Sequence, residues 1–95
     1  MSSDIKDSDV EALRILAMKA LMQQTQNDET VGVNRHLVFE KACENAGESV
    51  RQGQYDLARL EKLVFQKLVD LGHIIQDKNK QINITNQGKT SPEYQ

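Results

Sequence analysis

The chain has 95 residues, enough for one domain around one modest core. Its 38% hydrophobic and 27% charged residues are the proportions of an ordinary soluble globular protein, and no apolar run approaches the ~18 residues of a membrane span. A net charge of −2 excludes a surface coated with cations, so any contact with nucleic acid has to come from one locally basic face. The polar, acidic start MSSDIKDSD has the pattern of neither a signal peptide nor a transit peptide, so a cytoplasmic protein is expected. The lone cysteine, Cys43, permits no internal disulfide and suits a reducing compartment. With His36 and His73 it forms no metal-ligand spacing, and no cofactor is expected.

Residues 1–7 carry no pattern and are expected to be disordered. Ser8 and Glu11 fit a capping box for a first helix over 8–25, ending in the polar run Gln26-Asn27-Asp28-Glu29. At 100° per residue, Val10, Leu13, Leu16, Ala17, Ala20 and Leu21 share one broad face. Ile15, Met18 and Met22 make a second stripe. Either it meets the rest of the fold, or it is a partner or dimer surface, since three large apolar groups exposed together are costly.

Thr30-Val31-Gly32-Val33 leans to strand, and Asn34 suits the N-cap of a second helix over 35–46 that Gly47 would end. Val38, Phe39, Ala42, Cys43 and Ala46 form its inner face, which makes Cys43 a small core residue rather than a nucleophile. Residues 47–56, GESVRQGQYD, read as a loop with room for one helical turn. Asp56 then caps a third helix, with Tyr55 and Leu60 spaced as a hydrophobic staple. Leu57, Leu60, Val64, Leu68 and Leu71 give its core stripe, and Gly72 stands where a left-handed residue is wanted.

The period then changes from helix to strand. HIIQ at 73–76 and QINIT at 81–85 bracket Asp77-Lys78-Asn79-Lys80, a hairpin joined by a loop of about four residues. Residues 90–95 have no pattern and are expected to fray.

The order of helix, short strand, helix, helix and hairpin, with L68-VDLGHI and I82-NITNQGK, resembles the winged helix-turn-helix superfamily. The residues carrying the resemblance are Leu68, Leu71, Gly72, His73, Ile74 and Ile75, then Ile82, Ile84, Thr85, Gly88 and Lys89. It implies a mainly α fold with a small β-hairpin, three helices plus a wing, over residues 8–89. It departs from the family in two respects: about ten residues separate the second and third helices, where a helix-turn-helix turn has three or four, and the net charge is acidic, where DNA-binding members are often basic.

In that family the third helix enters the major groove of double-stranded DNA and the wing touches backbone or minor groove. Carried onto this chain, the outer face of the third helix is Arg59, Lys62 and Gln66, opposite the leucine stripe. Arg suits guanine, Gln suits adenine, and Lys suits guanine or phosphate. Lys78 and Lys80 at the wing tip suit phosphates. The resemblance therefore implies a small transcriptional regulator that binds DNA, and the second stripe of the first helix adds the expectation of a homodimer. A winged-helix protein-interaction module in a larger complex is the alternative, since fold does not fix function. No phosphate loop, metal constellation or activated nucleophile points to an enzyme.

Overall fold

In the computed structural model, which describes residues 4–95, the chain is mainly helical with a small three-stranded antiparallel sheet. Helix α1 spans Asp7–Thr25, strand β1 Val33–Asn34, helix α2 Arg35–Ala46 and helix α3 Leu57–Asp70. The hairpin of β2 (Ile74–Gln76) and β3 (Gln81–Ile84) follows, then a one-turn helix α4 (Asn86–Lys89) and a 3-10 turn at Pro92–Tyr94. The sheet order is β1-β3-β2, with Val33 opposite Ile82 on one side of β3 and Ile75 opposite Asn83 on the other. None of the described helices is long and apolar enough to cross a membrane.

Two side-chain caps form as the sequence suggests. The Asn34 side chain accepts from the His36 N–H at the start of α2, and Asp56 accepts from the Ala58 and Arg59 N–H groups at the start of α3. Helix α1 differs. It begins at Asp7, one residue early, after Lys6, which makes no side-chain cap. Ser8 thus lies inside the first turn, and Glu11 pairs with Arg14 rather than closing a capping box. Residues 47–56 stay outside both neighbouring helices as two 3-10 turns, Gly47–Ser49 and Gln52–Gln54, pinned by the buried Val50.

One core joins the three long helices to the sheet. Leu13, Ala17, Met18 and Leu21 of α1 are buried with Val38 and Ala42 of α2, Leu60, Val64, Phe65 and Leu68 of α3, and Ile74, Ile82 and Ile84 of the sheet. Phe39 and Phe65 meet edge to face at 6.5 Å between ring centres. Of the stripe Ile15, Met18 and Met22, Met18 is fully buried in this fold, which removes it from any dimer surface, and Ile15 and Met22 are partly buried against the same core. Helix α1 packs against α2, α3, β3 and the C-terminal turn, which is how it buries Met18 beside Leu13, Ala17 and Leu21. The core stripe of α3 shifts as well. Leu57 is 49% exposed, while Glu61 and Phe65 are buried beside Leu60, Val64 and Leu68.

The hairpin forms over the expected residues, with Ile74, Ile82 and Ile84 buried and Ile75 outside. Its loop, Asp77–Lys80, is held by Asp77, whose carboxylate accepts from the N–H groups of Asn79 and Gln81. Lys80 takes a left-handed φ of 62° to close it. Gly72 also has positive φ, 76°, which lets the chain turn from α3 into β2. Gly88 is needed for a different reason. A Cβ there would lie 2.3 Å from the His73 carbonyl oxygen and 2.6 Å from Met18 Cε, so α4 can sit on the start of β2 only without a side chain.

The C-terminal residues do not fray. Tyr94 is buried, and its hydroxyl accepts from Arg14 Nη1 at 2.6 Å and lies 2.6 Å from His73 Nδ1. Glu93 also accepts from Arg14. The tail thereby clasps α1 to the start of β2, a contact across 80 residues that no local pattern announces.

Candidate nucleic-acid interface

Arg59, Lys62 and Gln66 all point outward from α3, and Lys78 and Lys80 are exposed on the hairpin loop. A groove of about 970 Å³ runs between the N-terminal halves of α2 and α3 and reaches the hairpin loop. Lys62 and Lys80 line it, together with Arg35, His36, Glu40 and Glu61 above the apolar Phe39, Cys43 and Leu57. Arg59, Gln66 and Lys78 are not among the residues lining it. Gln66 donates to the Asp70 carboxylate at 2.9 Å, so an acidic group already occupies the amide that would read a base. Neither lysine of the groove is in an ion pair among the described residues, so both ammonium groups are free to meet an anion.

Buried charges fix the groove's shape. Arg35 opens α2 directly after β1, and its backbone N–H donates to the Lys80 carbonyl at 2.9 Å. Its Nε donates to Glu61 Oε2 at 2.8 Å and its Nη1 to Gln76 Oε1 at 3.3 Å. One residue therefore ties α2 to α3 and to both ends of the hairpin loop. Arg35 and Glu61 are 8% and 7% exposed, and a charge that deeply desolvated is tolerated only when paired and hydrogen-bonded.

His36 extends the chain of charges to the surface. Its Nδ1 lies 2.8 Å from Glu61 Oε1 and its Nε2 lies 2.8 Å from Glu40 Oε1. The hydrogen bond to Glu61, helped by the charges of both carboxylates, raises the His36 pKa above the ordinary histidine range. Cys43 is half-buried at the floor, and burial pushes its thiol pKa up, which fits a packing role.

Sequence reasoning missed Arg35, His36 and Glu61. A signal existed for Glu61, because the buried face of α3 runs Leu60, Glu61, Val64, Phe65, Leu68, and a carboxylate set into an apolar stripe requires a cation from elsewhere. Which cation answers it depends on the crossing of α2 over α3, and that is a tertiary fact. Among the described residues no cluster of His, Cys, Asp and Glu could hold a metal ion. In comparisons with known proteins, no family model, no curated protein and no solved structure shows a significant match to this chain.

Proposed function

We propose that this chain is a winged-helix domain that binds double-stranded DNA as a small transcriptional regulator, with α3 and the hairpin loop toward the duplex. Support for the fold comes from the order α1-β1-α2-α3-β2-β3, the sheet order β1-β3-β2 and the hairpin following directly on α3. The observation that carries the binding role is the placement of Lys62 and Lys80, which come from different elements, along one groove. Two unpaired ammonium groups flanking a cleft suit a phosphate backbone, which rewards cations by counterion release. Base reading falls to Arg59, exposed on the outer face of α3, more than to Gln66, which must first leave Asp70.

A second reading is favoured by exposed apolar groups on the same elements. Leu37 is 57% exposed, Leu57 49%, Leu63 39% and Ile75 61%, a pattern that suits a protein partner covering α2, α3 and β2. A fluorescence titration against random-sequence duplex separates the two. DNA binding gives a dissociation constant of about 10⁻⁴–10⁻⁶ M that weakens between ~50 and ~150 mM salt. No binding at ~50 mM salt leaves the protein-interaction module as the better account.

A further inference from the structure

We propose that His36 is itself a nucleic-acid-binding residue of this face and acts as an imidazolium, so that binding a duplex takes up a proton. This rests on the DNA reading above and goes beyond the residues that the resemblance implies.

The geometry is chemically restrictive. An ionised carboxylate only accepts hydrogen bonds, and a neutral imidazole has one donor nitrogen and one acceptor. His36 has a carboxylate oxygen 2.8 Å from each ring nitrogen, Glu61 on one side and Glu40 on the other. The Glu61 contact is a hydrogen bond and the Glu40 contact an ion pair, and only the doubly protonated ring can donate to both carboxylates. A neutral His36 would set a lone pair against one carboxylate and would have to release it. Glu40 is the one released, because its side chain is 61% exposed, whereas Glu61 is held by Arg35 as well.

His36 is also placed to act on an anion. Its side chain is 63% exposed at the first turn of α2, where the Asn34 cap fixes the backbone. The charged groups around it are Arg35 and Glu40 from α2, Glu61 and Lys62 from α3, and Lys80 from the hairpin loop. With His36 protonated, four cations share the groove with two carboxylates, and loss of the proton halves the excess of positive charge. The Cys43 thiol stays neutral through the relevant range, because burial raises its pKa. Phosphate near Lys62 and Lys80 draws the proton more tightly onto His36. By linkage, the protonated protein binds the duplex more tightly.

The sign follows from the raised His36 pKa. The proton is held at pH 6.5 and is lost as pH rises above it, so affinity for duplex falls across that window. If DNA raises the His36 pKa by about one unit, the full fall is about tenfold. His73 does not confuse the reading, since burial lowers its pKa and moves its titration to the acid side.

The test has two arms. In the free chain, long-range ¹H–¹⁵N spectra at pH 6.5 should show both His36 ring nitrogens protonated. A neutral tautomer there overturns the proposal without reference to DNA. In the second arm, anisotropy titrations of a random duplex run from pH 6.5 to 8.5 at constant ionic strength, with circular dichroism confirming that each variant is folded. The wild-type chain should lose affinity with rising pH. H36Q should bind more weakly at pH 6.5 and show no slope, and H36R should bind with no slope but restored affinity. Binding that is independent of pH, or that H36Q leaves unchanged, overturns the role of His36 and leaves the DNA reading standing. Absence of binding at every pH overturns both.

Discussion

Replacing Arg35 with Met tests whether a buried ion pair fixes the groove. Arg35 and Glu61 are each less than a tenth exposed and meet at 2.8 Å, so removing one leaves the other charged in a desolvated place. Breaking such a pair costs about 3–5 kcal/mol. Glu61 would keep His36, also at 2.8 Å, so the R35M cost should lie near about 3 kcal/mol, the lower end of that range. E61L strands the Arg35 guanidinium, which keeps only Gln76 at a longer 3.3 Å, so its cost should be nearer about 4 kcal/mol. The double variant R35M/E61L should cost about 4–5 kcal/mol, less than the sum of about 7, because it strands neither charge although His36 and Gln76 lose a partner. A coupling of about 2–3 kcal/mol is expected from the cycle. Urea unfolding followed by far-UV circular dichroism supplies the three free energies, with m-values checked for constancy. Single variants costing under about 1 kcal/mol, or additive in the double, would show that the pair does not hold α2, α3 and the hairpin together.

Four further outcomes are expected. Gly88→Ala forces a Cβ against the His73 carbonyl at 2.3 Å and should cost about 1–3 kcal/mol, roughly 4–20 °C of melting temperature by calorimetry. An unchanged melting temperature would mean that α4 does not pack on β2. Tyr94→Phe removes the hydroxyl shared by Arg14 and His73 and should cost about 1–3 kcal/mol in urea unfolding. His73 is buried and its pKa is lowered, first by burial and then by Arg14, so its neutral form belongs to the fold. Its contribution to stability is present above the ordinary histidine pKa of about 6.5 and is lost as pH falls through the lowered value, which unfolding curves in the wild-type chain and a His73→Gln variant can compare. Met18→Glu buries a carboxylate in the core, so circular dichroism should report an unfolded chain, not a folded monomer released from a dimer.

Local signals carried much of the fold into the sequence. Asn34 and Asp56 are caps whose side chains bond within three residues, and Gly72 marks a backbone turn, so neighbours alone reveal them. The change of period at His73 likewise announces the hairpin. Local sequence left the Met18 stripe between this fold and a partner, because the number of faces a helix buries depends on how many elements surround it, and α1 is packed by α2, α3 and the C-terminal turn. Tyr94 was illegible because its partners, Arg14 and His73, lie 80 and 21 residues away. The exposed cations of α3 and the loop were readable as types in a pattern. That Lys62 and Lys80 share a groove while Arg59, Gln66 and Lys78 do not line it depends on how α2, α3 and the hairpin pack, which periodicity does not encode.

The most direct measurement on the DNA reading is the salt dependence of duplex binding in the wild-type chain and in K62Q/K80Q. Glutamine removes the charge of each side chain and leaves a polar, slightly shorter one, and it is no more branched than lysine at position 80, where φ is 62°. If both ammonium groups contact phosphates, the double variant should bind every sequence more weakly and lower the slope of log K against log salt by about two units, one for each lost contact. A slope and affinity unchanged by K62Q/K80Q would contradict the placement of the duplex along this groove.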